Sequence, residues 1–144
     1  MPVVKVVPVV LRRQGDRFEV LVFEHPLAGT QLVKGNVEAG EAIAAAAARE
    51  LLEESGVIGA VSVRELGAWH QGPPGQVWHF CEMATSSLPN TWDHDTADDG
   101  GHRFTFWWHP IAERAPPSCS RIFVDALAFV QQHVAADLAS SLRP

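Results

Sequence analysis

Three glutamates, Glu50, Glu53 and Glu54, lie within five residues of one another, directly after a run of alanines. If this segment is helical, residues three and four apart are neighbours, so the carboxylates share about a quarter of the helix circumference. Carboxylates this close repel one another, and Arg49 alone cannot neutralise all three. Mg²⁺ binds a few carboxylate oxygens and completes its octahedron with water and substrate phosphates. The pattern therefore predicts a metal site, with a solvated, glutamate-rich helix end as the simpler alternative.

A longer pattern surrounds these glutamates and favours the metal site. The segment from Gly35 to Val57 reads G-x5-E-x7-R-E-U-x-E-E-x-G-U, where U is apolar. Its nine specified positions are Gly35, Glu41, Arg49, Glu50, Leu51, Glu53, Glu54, Gly56 and Val57. The pattern resembles the Nudix box, the signature of the Nudix hydrolases. This resemblance implies a fold of mixed α+β class, an α/β/α sandwich around a mixed β-sheet. It also implies hydrolysis of the diphosphate bond in a nucleoside diphosphate linked to another moiety, X, with Mg²⁺ or Mn²⁺.

The resemblance also implies roles for the charged residues of the box. Glu50, Glu53 and Glu54 would bind the metal ions, with Glu53 or Glu54 closest to the attacking water. Arg49 would orient a glutamate through a charge-assisted hydrogen bond. Glu41 would either support the loop or add a metal ligand.

Three further residues are candidates for substrate binding. Gly35 has no Cβ, so its backbone can approach metal and substrate closely, although a plain turn glycine is the alternative. Lys34 and Arg103 are candidates for phosphate contacts, although exposed cations more often only face solvent.

Hydrolysis also needs a group that takes a proton from the attacking water. The family often recruits this group from a loop outside the box, and here the segment TADDGGH offers Asp98, Asp99 and His102. Asp99 is the first candidate and Asp98 the second. The alternative is an ordinary acidic surface loop.

Most aromatic and histidine residues outside the box are expected to be structural. At least three of the five tryptophans should belong to the core, which leaves the others to stack on a base or ribose. His79 lies in a strand pattern and is expected to be packed. His25 and His109 each precede a proline and are interpreted as turn residues.

Hydrophobic periodicity predicts the elements that position these residues. Strands are predicted over residues 3–13, 18–25, 59–66, 76–83 and 103–108, and helices over 42–55 and 120–138. Gly56 is expected to end the first helix, whose small apolar first half suggests packing on more than one side. Pro8 indicates an edge strand or a bulge. Residues 86–102 are predicted to form a polar, acidic loop.

Composition limits the cellular setting and the class of partner. A length of 144 residues fits one domain over 1–144. The net charge of -6 does not favour duplex nucleic acid, whose binding depends on Lys and Arg contacts to phosphates. No stretch approaches the roughly 18 apolar residues of a membrane span. Two cysteines are too few for a disulfide framework, which favours a cytoplasmic location.

Two other function classes are weighed against hydrolysis of a small nucleotide. A catalytically inactive nucleotide-binding Nudix module is expected to lack one or more box acids, and all of them are present here. An RNA 5′-end pyrophosphohydrolase is expected to carry a basic groove, whereas this chain is acidic and has no Arg-rich segment. The favoured partner is a small nucleotide or nucleoside diphosphate derivative. A homodimer is compatible with the sequence.

Overall fold

The hydrophobic runs of the chain form eight strands and two α-helices within residues 2–97 and 100–141, the part described by this computed structural model. In chain order the elements are β1 (Val3–Gln14), β2 (Arg17–His25), β3 (Gly29–Gln31), β4 (Gly35–Asn36), α1 (Ile43–Ser55), β5 (Val61–Trp69), β6 (Gln76–Ala84), β7 (Trp92–Thr96), β8 (His102–Pro110) and α2 (Arg121–Ser141). Over these described residues, neither helix combines the length and apolar character that a membrane crossing needs.

The strands form one mixed sheet in the order β5-β6-β1-β2-β8-β7, with β3 beside β2 and β4 beside β1. The pairing of β1 with β6 is parallel, and the other pairings are antiparallel. The first two predicted strands form a hairpin in which Gln14 pairs with Arg17. Its tight turn uses Gly15 at a φ of 63°, a conformation that costs glycine little.

β1 lies inside the sheet, which corrects the edge or bulge predicted from Pro8. Its residues Val3–Val10 pair with β6, while on its other side β4 pairs at Lys5 and Val6 and β2 pairs from Leu11 onwards. The carbonyl of Val4 faces the β4 side, and backbone groups alternate along a strand, so the Pro8 nitrogen faces that side too. The Pro8 nitrogen therefore lies in the gap between the pairing with β4 and the pairing with β2. Neither strand loses a hydrogen bond because proline has no N–H.

The two helices cover opposite faces of the sheet because side chains alternate along each strand. In β1, Val6 and Val10 join the core under α1, whereas Val7 and Val9 join the core under α2. The helices contribute Ala46, Ala47 and Leu51 from α1, and Phe123, Ala126, Leu127 and Val130 from α2. The predicted α/β/α sandwich around a mixed sheet is confirmed.

Two predicted segments differ from the observed strands. The supposed acidic loop over 86–102 contains the strand β7. The strand is hard to detect in sequence because Asp93, His94 and Asp95 place polar groups on both of its faces, which removes the apolar alternation. β5 runs over Val61–Trp69 rather than over the predicted 59–66.

The alanines of α1 are covered on one side only, which contradicts the expected packing on several sides. Ala46 and Ala47 are buried in the core, whereas Ala44 and Ala45 are exposed. Leu52, on the outer side of the same helix, is also exposed. α1 is therefore an outer layer with one face against the sheet.

Buried aromatic residues agree with the sequence prediction, while one histidine does not. Trp69, Trp78 and Trp108 are buried, which confirms that at least three tryptophans belong to the core. His109 is buried within β8 and is not a turn residue. Its position before Pro110 misled the sequence interpretation, because that proline ends a strand here.

Candidate functional site

The three glutamates of α1 occupy two different environments. Glu50 and Glu54 are buried, with 6% and 7% of their surface exposed, whereas 47% of the Glu53 side chain is exposed. Residues four apart lie one above the other on a helix, so Glu50 and Glu54 share the side that faces the sheet. The single anionic face predicted from sequence is therefore divided between the interior and the solvent.

Glu50 and Glu54 line a cavity of about 520 Å³ between α1 and the sheet. We call one part of its lining the charged end, formed by Lys5, Lys34, Gly35, Asn36, Glu50 and Glu54. We call the other part the aromatic end, formed by Phe23, His25, Ala28, Gln31 and Phe104. The cavity thus combines groups suited to a metal and phosphates with groups suited to a flat, apolar ring.

Arg49 organises the charged end without lining it. Its guanidinium donates two hydrogen bonds of 2.8 Å to Glu41, one to each carboxylate oxygen. It also donates to Glu50 Oε1 at 2.9 Å and to the carbonyl oxygen of Asn36 at 2.8 Å, and it lies 3.4 Å from Glu53 Oε2. One cation therefore ties the loop before α1 to two of the three glutamates on the helix.

Glu41 is the residue that holds Arg49 in place. The hydrogen bonds from Arg49, followed by one from the backbone N–H of Glu38, lower the pKa of Glu41 from 4.5 to about 2. The same carboxylate raises the pKa of Arg49. Of the two roles predicted for Glu41, this geometry favours loop support, because both of its oxygens are already engaged with Arg49.

Gly35 leaves the space that the Glu50 carboxylate occupies. A Cβ atom built at Gly35 would overlap all three carboxylate atoms of Glu50. Any other residue would therefore displace Glu50 or the strand β4. The close approach predicted for Gly35 is made to a glutamate of α1.

Two lysines complete the charged end. Lys34 Nζ lies 4.9 Å from the ring centre of Trp78, close enough for a cation–π interaction. Burial lowers the pKa of Lys34, Lys5 lowers it further, and Glu54 opposes both effects. Lys5 Nζ donates a hydrogen bond to Asn36 Oδ1. Lys5 was not predicted from the sequence, because a lone lysine in an apolar strand carries no motif.

The aromatic end is a cluster of rings at the end of β2. Phe23 stacks on Phe104 at 4.3 Å between ring centres, and His25 lies 5.1 Å from Phe104. The ring of His102 lies 4.9 Å from His25. His25 Nδ1 accepts a hydrogen bond from the backbone N–H of Leu27 at 3.0 Å, which leaves Nε2 to carry the proton of the neutral ring.

His25 belongs to the cavity as well as to the turn predicted from its proline. A period of two along β2 places His25 on the same face as Phe23, and this signal was available in the sequence. Gln31, which pairs with Phe23 across the sheet, also lines the cavity. No sequence signal identified Gln31.

The remaining candidates lie elsewhere. Arg103 is exposed and forms an ion pair with Asp95 at 2.9 Å. Because it alternates with Phe104 in β8, it points to the opposite side of the sheet from the cavity. Asp98 and Asp99 lie outside the described residues. His102 begins β8 beside the aromatic end.

The charged end contains two carboxylates of the kind that bind a divalent cation together with substrate phosphates. The described residues contain no cluster of three or more His, Cys, Asp or Glu side chains arranged to hold a metal ion. Mg²⁺, however, often takes only one or two carboxylates together with waters and substrate phosphates. Glu50 and Glu54 place two buried carboxylates, each with oxygen atoms that can act as metal ligands, in one cavity. Gly35 leaves room for the carboxylate of Glu50.

Solved structures with the same fold include several Nudix proteins. A NUDIX hydrolase from Nitrosomonas europaea has a TM-score of 0.66 and 24% sequence identity, over 94% of this chain and 90% of that chain. The NUDIX domain of Shewanella oneidensis NrtR, in complex with ADP-ribose, has a TM-score of 0.62 and 14% identity, over 93% and 89%. An ADP-ribose pyrophosphatase from Streptococcus suis has a TM-score of 0.61 and 14% identity, over 93% and 92%.

Sequence comparison gives the family. No curated protein matches the chain. The profile of the NUDIX domain, in contrast, matches residues 2–122, which include every strand of the sheet, α1 and the whole candidate site. The chain therefore belongs to the NUDIX domain family, the family of the Nudix hydrolases.

Proposed function

We propose that this protein hydrolyses the diphosphate bond of a nucleoside diphosphate linked to another moiety, in a reaction that depends on Mg²⁺ or Mn²⁺. The observation that carries the proposal is the charged end, where the buried carboxylates of Glu50 and Glu54 share one cavity with Lys5 and Lys34. Buried carboxylates are costly unless cations compensate them. A metal–diphosphate complex supplies positive charge for the acids and negative charge for the lysines.

The chain's own residues divide the work of binding the reacting group. Glu50 and Glu54 hold the cation, and Lys34 and Lys5 bind phosphate oxygens. Glu53 is the third acid of the box and lies nearest the solvent side. A divalent cation held by Glu50 and Glu54 would stabilise the negative charge that builds on phosphoryl oxygens during attack. Arg49 and Glu41 keep Glu50 in place without touching substrate.

The group that accepts the proton of the attacking water stays a prediction. Glu53 and Glu54 are candidates within the box. Asp99, Asp98 and His102 are candidates outside it, and His102 lies beside the aromatic end. Each acid is replaced by its amide and His102 by alanine, and kcat and KM are measured at saturating Mg²⁺. The variant that loses the proton acceptor is the one whose kcat falls more than its KM changes.

The aromatic end suits the nucleoside part of the substrate. Rings prefer offset-stacked or edge-to-face contacts, and His25 and Phe104 offer such surfaces in the cavity. The Gln31 amide carries both donors and an acceptor, so it is able to pair with the edge of a base. ADP-ribose is the first substrate to test, since one protein of the same fold is named for it and another was solved with it bound. UDP-linked substrates are the second, because a third protein of this fold is named a UDP-X diphosphatase.

A substrate panel tests the proposal. ADP-ribose, UDP-sugars, dinucleoside polyphosphates and nucleoside triphosphates are incubated with the protein and Mg²⁺ or Mn²⁺, and products are identified by ³¹P NMR. We expect cleavage between two phosphorus atoms of at least one compound, abolished by EDTA and restored by added metal. Turnover that is unaffected by EDTA contradicts the metal dependence, and an absence of cleavage across the panel contradicts hydrolysis.

A nucleotide-binding module without catalysis is the second candidate. It is favoured by the similarity to the NrtR NUDIX domain, which was solved with ADP-ribose bound. Isothermal titration of ADP-ribose in the presence of Mg²⁺ distinguishes the two functions. Saturable binding without any product after prolonged incubation supports the binding module, and product formation supports the hydrolase.

A further inference from the structure

The last turn of α1 is held by side chains from another strand. A helix end leaves backbone carbonyls without partners inside the helix, and such ends fray. In α1 the carbonyl of Leu52 accepts a hydrogen bond from Gly56 N–H at 2.9 Å. The carbonyl of Glu53 accepts one from His94 Nε2 at 3.1 Å, and that of Ser55 accepts one from Trp92 Nε1 at 2.9 Å. Both side-chain donors belong to β7.

The sequence of β7 suits this contact. Trp92 and His94 are two residues apart, so they point to the same side of the strand. The Trp92 ring is fixed by stacking on Phe106, with ring centres 5.1 Å apart and planes 10° from parallel. A Cβ atom at Gly56 would lie 2.9 Å from His94 Nδ1, so glycine permits the approach of the His94 ring. We call the pair Trp92 and His94 the β7 clamp.

The clamp acts on the turn that carries Glu53 and Glu54. Glu50 lies one turn earlier and is fixed by Arg49 and by its fit over Gly35. Glu54 is buried in the cavity but lies within the last two residues of the helix, where the backbone has the fewest intrahelical bonds. Its position relative to Glu50 therefore depends on groups that hold the end of α1.

We propose that the β7 clamp positions the last turn of α1, and that His94 is a positioning residue for Glu53 and Glu54. The proposal rests on the proposed function, since it assigns these glutamates to the metal and the reaction. His94 acts through the Glu53 carbonyl and contacts no substrate. This role requires a hydrogen-bond donor at the position of His94 Nε2, because the carbonyl oxygen of Glu53 can only accept.

Two amide substitutions separate this requirement from simple packing. In His94→Gln the side-chain nitrogen reaches about as far as Nε2, whereas in His94→Asn it reaches only about as far as Nδ1. Both variants have the same chemistry and similar polarity. We expect amide hydrogens of residues 52–57 to exchange at least about tenfold faster in H94N than in wild type, and within about twofold of wild type in H94Q.

The functional consequence is measured with Mn²⁺ alone and with substrate. Loss of a residue that orients metal ligands commonly costs 10- to 100-fold in affinity or activity. We expect H94N to bind Mn²⁺ about tenfold more weakly and to lose about tenfold in kcat, with KM within about twofold. H94Q should restore both quantities. A purely structural contact would lower thermal stability without this difference between the two amides in Mn²⁺ affinity.

The outcomes separate this proposal from the proposed function. Wild-type exchange rates in H94N overturn the clamp. Faster exchange with unchanged Mn²⁺ affinity and kcat shows that the clamp does not position the glutamates, which also overturns the proposal. A wild-type protein that binds no Mn²⁺ and cleaves no substrate contradicts the proposed function, and the exchange rates still decide whether β7 holds the turn.

Trp92→Phe provides an independent test of the second donor. Phenylalanine keeps a six-membered ring against Phe106 but lacks the five-membered ring of the indole and its N–H, so the Ser55 carbonyl loses its partner. Trp107→Phe is the matched control, because Trp107 lies on the opposite side of the sheet and packs with the core under α2. We expect faster exchange at residues 54–57 in W92F but not in W107F, and equal rates in both would contradict the role of Trp92.

Discussion

At the scale of single residues, burial and not sequence position distinguishes the box glutamates. Glu50 and Glu54 are almost completely buried, whereas Glu53 is half exposed. A buried carboxylate needs compensating charge or hydrogen bonds. Arg49 supplies these to Glu50, and the charge of Glu54 raises the pKa of Lys34 against the effect of burial. Glu50 and Glu54 are therefore the two box acids that the cavity encloses, whereas Glu53 meets solvent.

Glu54→Gln should lower kcat by about 10²-fold or more, because under the proposed function it removes a carboxylate that holds the cation, and with the cation the stabilisation of charge in the transition state. The shape is kept, and the metal-free variant should melt no lower than wild type, since one of two neighbouring acids is neutralised. Steady-state kinetics and thermal melts in EDTA test both points. Glu113→Gln, which lies outside the cavity, is the control. Near-wild-type turnover in Glu54→Gln would remove this residue from the reaction.

Glu41 gives a pH-dependent contribution to stability. Its pKa is about 2 in the folded protein, below the ordinary value of 4.5, because Arg49 binds the ionised form. The contribution is thus complete above about pH 5 and is lost as the pH falls towards 2. We expect wild type to melt above Glu41→Gln at pH 7, with a difference that shrinks from pH 5 to pH 2. A difference that stays constant over this range contradicts the assignment.

At the scale of elements, the end of α1 depends on β7 and on one glycine. Gly56 has a φ of 78° and faces the ring of His94. Its left-handed conformation is the usual end of a helix and was predicted from its place in the sequence. The contact with His94 was not predicted, because it joins segments that lie far apart in the chain.

Gly56→Ala should destabilise the protein more than Gly59→Ala does. Both glycines have similar φ values, 78° and 76°, so alanine meets the same backbone cost of about 1 kcal/mol at each. Only at Gly56 does the added Cβ meet another group, the His94 ring. Overpacking of this kind adds about 1 to 3 kcal/mol. Urea unfolding of both variants gives the difference, and equal values would show that His94 moves aside without cost.

At the scale of the whole molecule, one sheet separates two hydrophobic cores, one under α1 and one under α2. The core under α1 supports the candidate site, and the core under α2 covers the other face. Both cores draw on the same strands, because β1 and β2 are apolar on both sides. The sheet on which α1 and its glutamates pack is therefore covered by α2 on its other face.

Leu127→Ala should reduce stability without reducing activity. Leu127 is buried under α2, and removing a buried leucine side chain costs about 2 to 5 kcal/mol. The residue lies on the opposite face of the sheet from Glu50 and Glu54, so kcat and Mn²⁺ affinity should stay within about twofold of wild type well below the melting temperature. Loss of activity in a variant that is still folded at the assay temperature would show that the two faces are coupled.

The sequence by itself determined the local elements and the charged residues of the site. The spacing from Gly35 to Val57, the helical period of α1 and the apolar strands are properties of neighbouring residues, and each follows from local geometry. The family resemblance came from that spacing, and the NUDIX profile confirms it.

Only the tertiary structure decided which of these residues meet. It buried Glu54 and exposed Glu53, turned Arg103 away from the cavity, and brought Lys5, His25, Gln31 and Phe104 to it. It also revealed β7, whose inward polar groups bind the carbonyls of α1. These facts depend on pairing between distant segments and on the direction of each side chain after packing. Local periodicity specifies neither the pairing of distant segments nor the final direction of their side chains, because both depend on which strands become neighbours in the sheet.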